Sequence, residues 1–347
     1  MPTPAAAGPT VYREATMAAR LGLGIDFGGT KLLGALVDLD DGTVIATAKK
    51  KTSAQDDADA VMDRLRDAVE ATLKAGKAKP KEIAGIGVGI AGQVDAAAGV
   101  LLGTPNLSQA VVDLPIVAML EDRFKVPAAL RNDVQIAAMG EMAFGAGRGS
   151  ESFLCCFVGT GVGGAIVEGG RLLTGAAGSA GEIGHLVVDA GGRLCGCGGH
   201  GHLEAYASRT AITASLLGDI KRGRPTVLRD LVPDLNPADA PGGTAIRSGI
   251  LAKAIAARDE LTTETVHEAA YYLGLGLASA INLLNPKRIV LGGGVIEAVD
   301  LLFDVATLHA RREALPTPAR SVEIVRAGLG DHAGVVGAAM LGGLAKA

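Results

Sequence analysis

The sequence has no tryptophan, and only 3% of its 347 residues are aromatic. Proteins that bind nucleic acids stack bases on aromatic side chains and attract phosphates with a basic surface. This chain instead has a formal net charge of −4 and a pI near 5.9. A nucleic acid is therefore not an expected partner.

Long apolar stretches are also lacking. The chain has no charge-free apolar run of about 18 residues, the length that a membrane span requires. Residues 1–20 contain two Arg and one Glu but no continuous apolar core, so they do not resemble a signal peptide. We expect a disordered tail over 1–20, with Met17 as an alternative start, and no membrane contact.

Cysteine is scarce, with four residues in the chain. Cys155 and Cys156 lie in the apolar run FLCCFV and are expected to be small buried hydrophobes on opposite faces of a strand. The other two, Cys195 and Cys197, lie in a segment with the residue types of a metal site. No disulfide framework remains, which indicates a reducing, cytoplasmic environment.

Apolar residues and glycines, by contrast, are plentiful. An apolar content of 48% in 347 residues is enough to fill the cores of two domains. The fifty glycines cluster in turns between short apolar runs. We interpret them as positions where the backbone comes close to a ligand.

The segment from Glu182 to Glu204 contains five of the ten Cys and His residues of the chain. A Cys-x-Cys turn flanked by histidines has the donor types and the spacing of a structural zinc site. The expected ligands are His185, Cys195, Cys197 and His202. His200 competes for the last position, and the alternative is a glycine-rich surface loop with incidental histidines.

Periodicity predicts an α/β chain with two similar halves. In the first half we expect strands at 21–27, 32–39, 43–48, 83–90 and 128–130, helices at 58–74, 116–124 and 134–144, and a loop at 91–106. In the second half we expect helices at 244–258, 262–284 and 333–345, strands at 288–291 and 322–326, and an exposed connection at 219–243. The opening pattern of strand, glycine turn and strand returns at 153–168, which predicts a duplicated domain with a cleft between the copies.

Two glycine turns have the groups that hold a polyphosphate. The first offers Asp26, Gly28, Gly29, Thr30 and Lys31, and the second offers Gly159, Thr160, Gly161, Gly163 and Gly164. The first turn is followed by a strand and matches neither a P-loop nor a dinucleotide fingerprint. For that turn alone, an ordinary tight hairpin is the alternative.

Asn132 and Asp133 precede a predicted helix, where either side chain could cap backbone N–H groups. Asp133 could instead accept the proton of an attacking hydroxyl, with Asn132 orienting the acceptor. Beside the metal segment, Glu182, His185 and Glu204 are suited to binding vicinal sugar hydroxyls. The alternative for both glutamates is charge exposed to solvent.

Taken together, these residues resemble the ROK family of sugar kinases and sugar-responsive repressors. The resemblance runs from about Leu21 to the C-terminus. The matching motifs, in order, are 26–31, Gly92 with Asp95, Pro105-Asn106-Leu107, Asn132-Asp133, 159–164, Glu182-x-Gly184-His185 and Cys195-x-Cys197-Gly198-x-x-Gly201-His202-x-Glu204.

The resemblance implies a two-domain actin-like ATPase (ribonuclease H-like) fold and a homodimer or homotetramer. The first domain would be 21–131 plus the terminal helix at 332–347, and the second would be 132–331, with the zinc loop at 185–204. Asp133 would be the catalytic base. The sugar would contact Gly92, Asn106, Asn132, Asp133, Glu182, His185 and Glu204. ATP would lie between the glycine turns with Mg²⁺ near Asp26 and the adenosine near Gly293 and Gly294, and zinc would be structural.

Three departures from the family pattern occur. His202 replaces the usual last Cys ligand, Ala91-Gly92-Gln93 replaces Pro-Gly-Pro, and Val134-Gln135 follows the Asn-Asp pair. The family's repressors carry a winged helix-turn-helix domain before the phosphate motif, where this chain has about 20 residues, which favours a kinase.

The expected activity is that of a glucokinase. The alternatives are a kinase for N-acetylmannosamine, N-acetylglucosamine or fructose, and a sugar sensor without catalysis. A nicotinamide oxidoreductase is disfavoured by the strand that follows the first glycine turn.

Overall fold

The computed structural model describes residues 21–28, 31–51, 57–104, 111–236 and 246–345. The predictions for the tail 1–20 and for Gly29, Thr30 and Asn106 lie outside these residues. None of the helices in these ranges combines the length and apolarity that a membrane span needs.

The first half of the chain forms a five-stranded sheet with strand order β3-β2-β1-β4-β7. Its strands are β1 Leu21–Phe27, β2 Lys31–Asp38, β3 Val44–Lys51, β4 Ile83–Ile90 and β7 Ala128–Asn132. A separate hairpin consists of β5 Gln93–Asp95 and β6 Val100–Gly103, and the helices are α1 Ala58–Ala75, α2 Ile116–Phe124 and α3 Asp133–Phe144. Strands β1, β2 and β3 pair antiparallel, whereas β4 and β7 join them in parallel.

Helix α1 shows how the sequence pattern produces this half. Its residues Val61, Leu65 and Val69 are spaced by four and are fully buried against the sheet. Asp57 starts the helix, since its carboxylate accepts a 2.9 Å hydrogen bond from the N–H of Ala60. The helix predicted at 58–74 is confirmed.

The second half repeats the topology of the first, with strand order β10-β9-β8-β11-β12. Its strands are β8 Phe153–Val158, β9 Val162–Glu168, β10 Arg171–Leu173, β11 Arg288–Gly292 and β12 Glu323–Arg326. Its helices are α4 Glu204–Ala207, α5 Arg209–Lys221, α6 Leu228–Leu231, α7 Ser248–Ala256, α8 Glu260–Leu284, α9 Gly294–Ala298, α10 Asp300–Glu313 and α11 Pro316–Ser321, followed by α12 Ala333–Leu344. The duplication that the recurring pattern predicts is confirmed.

Cys155 and Cys156 are buried free cysteines, as the sequence predicts. They lie in β8 and belong to the hydrophobic clusters on its two faces.

Two connections join the halves, and a buried carboxylate holds them together. Helix α3 leads from β7 to β8, while the segment after β12 leads to α12. The fully buried Glu141 of α3 accepts hydrogen bonds from the N–H groups of Ala146, Gly328 and Leu329 at 2.6, 2.9 and 2.9 Å. Because a buried carboxylate needs such donors, it fixes both connections at one point.

Glycine allows α12 to pack closely against the first sheet and α3. A Cβ at Gly87 of β4 would lie 1.8 Å from the carbonyl oxygen of Ala338, and one at Gly24 of β1 would lie 2.0 Å from that of Val335. The interpretation that the glycines mark approach to a ligand is therefore wrong for these positions. At these positions the backbone of α12 lies so close to the sheet that a side chain would not fit, so glycine is needed for helix–sheet packing.

Other predictions need correction. The loop predicted at 91–106 contains the hairpin of β5 and β6, whose three- and four-residue strands are too short to show alternation. The segment predicted as an exposed connection contains the end of α5 and all of α6, and its residues Leu228 and Val232 are buried. Helices α4, α5, α6, α9, α10 and α11 were not predicted.

Gly87→Ala is expected to destabilise the fold by about 3 kcal/mol, because the added methyl group would displace α12 from the sheet. Gly249→Ala is the matched control. It lies in α7, where an added Cβ would meet no atom within 4 Å, so the substitution should be neutral or slightly stabilising. Urea unfolding of both variants tests the difference, and equal stability would contradict the close packing.

Candidate active site

A cleft of about 1330 Å³ lies between the two halves. It contains the following predicted site residues: Gly28, Lys31, Gly92, Asn132, Asp133, Gly159, Thr160, Gly161, Gly163, Gly164, Glu182, His185, Cys195, Cys197, Glu204 and Gly293. The sheet topology explains why these residues lie in one cleft, because ligand sites in α/β sheets form beyond the carboxyl ends of parallel strands. Phe27, Ile90 and Asn132 are paired at those ends of β1, β4 and β7.

Asp133 is the first residue of α3 and faces the cleft. The pKa of its carboxyl is raised to about 6, mainly by burial and to a smaller extent by the negative charge of Glu182, while hydrogen bonding to the N–H of Val134 opposes the rise. Only one carboxylate oxygen accepts that bond, at 3.0 Å. The group can therefore exchange a proton near neutral pH.

Asn132 is the N-cap of α3. Its side-chain oxygen accepts hydrogen bonds from the N–H groups of Val134 and Gln135 at 2.9 and 3.3 Å. Its amide nitrogen donates to the carbonyl of Gly92 at 3.3 Å. The capping alternative is thus the observed role of the side-chain oxygen.

Asp26 lies at the end of β1, with its carboxylate deep among protein atoms although the residue is partly exposed. Burial raises the pKa of Asp26 to about 7, and Asp133 adds to the rise while Lys31 opposes it. The ammonium of Lys31 also lies 3.9 Å from the Asp331 carboxylate. A bound divalent cation would favour the ionised form of Asp26, and oxygen ligands of this kind suit Mg²⁺.

The second glycine turn is shorter than predicted. It spans 159–161, where the N–H of Gly159 donates to the carbonyl of Gly161 at 2.9 Å, and β9 begins at Val162. Gly163 and Gly164 belong to that strand. A Cβ at Gly163 would lie 2.5 Å from the Val134 side chain, so this glycine admits α3 to the sheet.

Four side chains of the 185–202 segment could hold a metal ion. The donor atoms of His185, Cys195, Cys197 and His202 all lie within 4.8 Å of one another. The two Nδ1 atoms are 3.4 Å apart, and Cys–His separations are 3.1 and 4.0 Å. Tetrahedral zinc with bonds of about 2.0–2.3 Å needs separations of about 3.3–3.8 Å, a range that the observed separations bracket, and thiolate with imidazole is a donor set that suits zinc. His200 is not part of the cluster found in the described residues.

Glu204 links the metal cluster to the second glycine turn. One carboxylate oxygen accepts a 2.9 Å hydrogen bond from the N–H of Val162, and the other lies 3.9 Å from the Cys195 sulfur. A Cβ at Gly161 would lie 2.3 Å from the first oxygen. The carboxylate therefore packs directly on the turn.

Glu182 completes the acidic side of the cleft. Burial raises the pKa of its carboxyl, with His185 opposing and Glu204 adding to the rise.

Gly293 lines the cleft with φ of +89°, and the adjacent Gly294 starts α9. The left-handed backbone at Gly293 requires glycine.

Sequence reasoning missed two contacts at the site. Arg209 donates to the hydroxyl of Thr160 at 2.9 Å, and Gln135 donates to the carbonyl of Gly178 at 2.8 Å. Gln135 lies two residues after Asp133, whereas Arg209 lies five residues after Glu204. Their partners are distant in the chain, however, so no local signal marks them.

The comparisons with known proteins agree with this geometry. A sequence model of the ROK family matches residues 22–343. The chain belongs to the ROK family. A glucokinase from Halalkalibacterium halodurans is 34% identical over 326 residues, which cover 94% of this chain and 96% of that protein.

Other members of the ROK family differ in length and in bound molecules. The DNA-binding transcriptional dual regulator NagC of Escherichia coli is 31% identical over 81% of this chain and 66% of its own length. The crystal structure of a ROK family glucokinase from Streptomyces griseus in complex with glucose and AMPPNP has a TM-score of 0.79 and 32% identity, covering 93% of this chain and 99% of that one. The predicted family and its two-domain actin-like ATPase fold are confirmed.

Asp133→Asn is expected to stabilise the protein at pH 8. The native pKa of about 6 lies above the ordinary value of 3.8, so the wild type loses stability as its carboxyl ionises between these values. The gain should be on the order of 1–3 kcal/mol at pH 8 and should shrink towards about pH 4.

Urea unfolding at the two pH values measures this gain. Asp122→Asn is the control, because Asp122 is exposed and its pKa is lowered by its hydrogen bond to Lys125. An Asp133→Asn variant no more stable than the wild type at pH 8 would contradict the burial of this charge.

Proposed function

We propose that this chain is an ATP-dependent glucokinase, which transfers the γ-phosphoryl group of ATP to the primary hydroxyl of glucose. One observation carries the proposal. The Asp133 carboxylate faces a cleft that the glycine turn at 159–161, Glu182 and Glu204 also line. A base that shares one cleft with a phosphate-binding turn and sugar-binding carboxylates is the arrangement that hydroxyl phosphorylation needs.

Relatives support the choice of activity. Glucokinases at 30–34% identity match this chain over 92–94% of its length. This agreement confirms the sequence-based prediction of a sugar kinase.

In the proposed reaction, Asp133 holds the sugar's primary hydroxyl and accepts its proton as the oxygen attacks the γ-phosphorus in line. Val134 donates its backbone N–H to one carboxylate oxygen, and the other oxygen would take this proton. The transition state is loose, so positioning and charge neutralisation contribute most of the rate. Mg²⁺, when bound, supplies part of that neutralisation, and Asp26 is the residue that would hold it near the phosphates.

Glu182, Glu204 and the side-chain amide of Asn132 would bind the remaining sugar hydroxyls. Glu204 also accepts the N–H of Val162, so the group that binds sugar would be rigidly tied to the turn that binds phosphate. This hydrogen bond would keep the sugar hydroxyl and the γ-phosphate in a fixed relative position. Gly92 would contribute its backbone beside Asn132.

Zinc is proposed to be structural, held by His185, Cys195, Cys197 and His202. The donor separations fit a tetrahedral site, and the cluster adjoins both Glu182 and Glu204. With Nδ1 of His185 on the metal, its Nε2–H is left as a donor of fixed tautomer for the sugar. The ion would thus orient the sugar-binding side chains without taking part in the reaction.

The domain boundaries at 131 and 332, the cytoplasmic location and the homodimer or homotetramer belong to the same proposal. Packing of α12 on β1 and β4 supports the assignment of the last helix to the first domain. Exposed apolar side chains on α8 and α10, including Leu283 and Leu308, support self-association.

Asp133→Asn is expected to lower kcat for glucose by about 10²–10⁴, since the general base is removed. Glucose affinity should stay within a few fold, because the other sugar-binding groups remain. A coupled assay with ATP over glucose, fructose, N-acetylmannosamine and N-acetylglucosamine measures kcat, and calorimetry measures affinity. A fully active variant would remove Asp133 from its role, and wild-type protein inactive on every sugar would exclude a kinase.

His202→Ala is expected to release the metal and to weaken glucose binding by about tenfold, as loss of ligand support typically does. His200→Ala is the matched control, two residues away and outside the cluster. Metal analysis should give about one zinc per chain for the wild type and the control. Unchanged zinc in His202→Ala would contradict the ligand set.

A further inference from the structure

The start of helix α5 is bonded to the second glycine turn. The N–H of Arg209 donates to the carbonyl of Gly159 at 2.9 Å, and its guanidinium donates to the hydroxyl of Thr160 at 2.9 Å. The hydroxyl of Thr210 donates to the carbonyl of Thr160 at 2.8 Å. Arg209 therefore lies beside the turn to which the phosphate donor is assigned.

The charge of Arg209 is not balanced by the protein. No carboxylate in the described part of the chain lies within ion-pair distance of its half-buried guanidinium. Burial lowers the pKa of Arg209, and the nearby Arg247 lowers it further. Because a guanidinium keeps its proton in proteins, the pair creates a positive potential that an anion would relieve.

The turn itself supplies further donors for an anion. Among the described residues, none accepts a hydrogen bond from the backbone N–H of Thr160 or of Gly161. Thr160 and Gly161 line the cleft, and the guanidinium reaches the same turn through its bond to the Thr160 hydroxyl, so these groups form one set of donors at the turn. Phosphate oxygens are the acceptors that such a set selects.

On the basis of the proposed function, we propose that Arg209 binds a phosphate group of the nucleotide directly. Helix α5 continues along the same cleft, which its residues Ala211, Ser215 and Gly218 line beyond the turn. A charge at this position also offsets the negative charge of the transferring phosphoryl group.

The test compares ligands with different numbers of phosphates in the full-length protein. In Arg209→Ala, the Kd for AMPPNP measured by calorimetry should rise about tenfold or more, as expected for a lost charged hydrogen bond. The Kd for AMP should rise less than the Kd for AMPPNP, and the Kd for glucose should stay unchanged. Arg209→Lys should recover part of the AMPPNP affinity, and Arg320→Ala on α11 is the control for removing a surface charge.

A second comparison separates phosphate binding from support of the turn. In a Thr160→Val background, Arg209→Ala should still weaken AMPPNP binding. Disappearance of the effect would show that Arg209 acts only by holding Thr160, and this would overturn the proposal, as would equal AMPPNP affinity in Arg209→Ala and the wild type. Failure of the wild type to bind AMPPNP or to phosphorylate any sugar would instead count against the proposed function.

Discussion

The site depends on the junction at which strand β7 ends and helix α3 begins. Asn132 caps the helix and thereby fixes the direction of the next residue, so Asp133 enters the cleft at the N-terminus of α3. Burial raises the pKa of Asp133 to about 6, and one of its carboxylate oxygens accepts a hydrogen bond from the N–H of Val134. The capping residue and the candidate base are therefore neighbours in the sequence. Capping and proton acceptance, the two roles that the sequence allows for either residue, are divided between Asn132 and Asp133.

Glu204 joins three features that are separate in the sequence. It follows the metal cluster, accepts the N–H of Val162 beside the glycine turn, and lies in the cleft with Glu182. In the proposed function, a single carboxylate would thus relate the positions of the zinc loop, the sugar and the phosphates. Gly161 is required beside it, because a side chain there would collide with the carboxylate.

Much of the fold could be predicted from the sequence where the signals are local. Helix α1 follows from the spacing of Val61, Leu65 and Val69, and the duplicated topology follows from the recurring strand, turn and strand. The hairpin of β5 and β6 could not be predicted, since three or four residues show no alternation. The role of Gly24 and Gly87 could not be predicted either, because these glycines make room for α12, which is distant in the sequence. At the site, most of the residues predicted from the motifs line one cleft, whereas the contact of Arg209 with Thr160 arises only from the tertiary fold.

In the proposed reaction, Asp133 lies next to both a sugar bound by Glu182 and Glu204 and a phosphate chain bound by the turn at 159–161. A crystal structure of the protein with glucose and AMPPNP tests this placement. We expect the primary hydroxyl of glucose about 3 Å from the Asp133 carboxylate, facing the γ-phosphate. Glucose bound with that hydroxyl directed away from Asp133, or phosphates bound away from the turn, would contradict it.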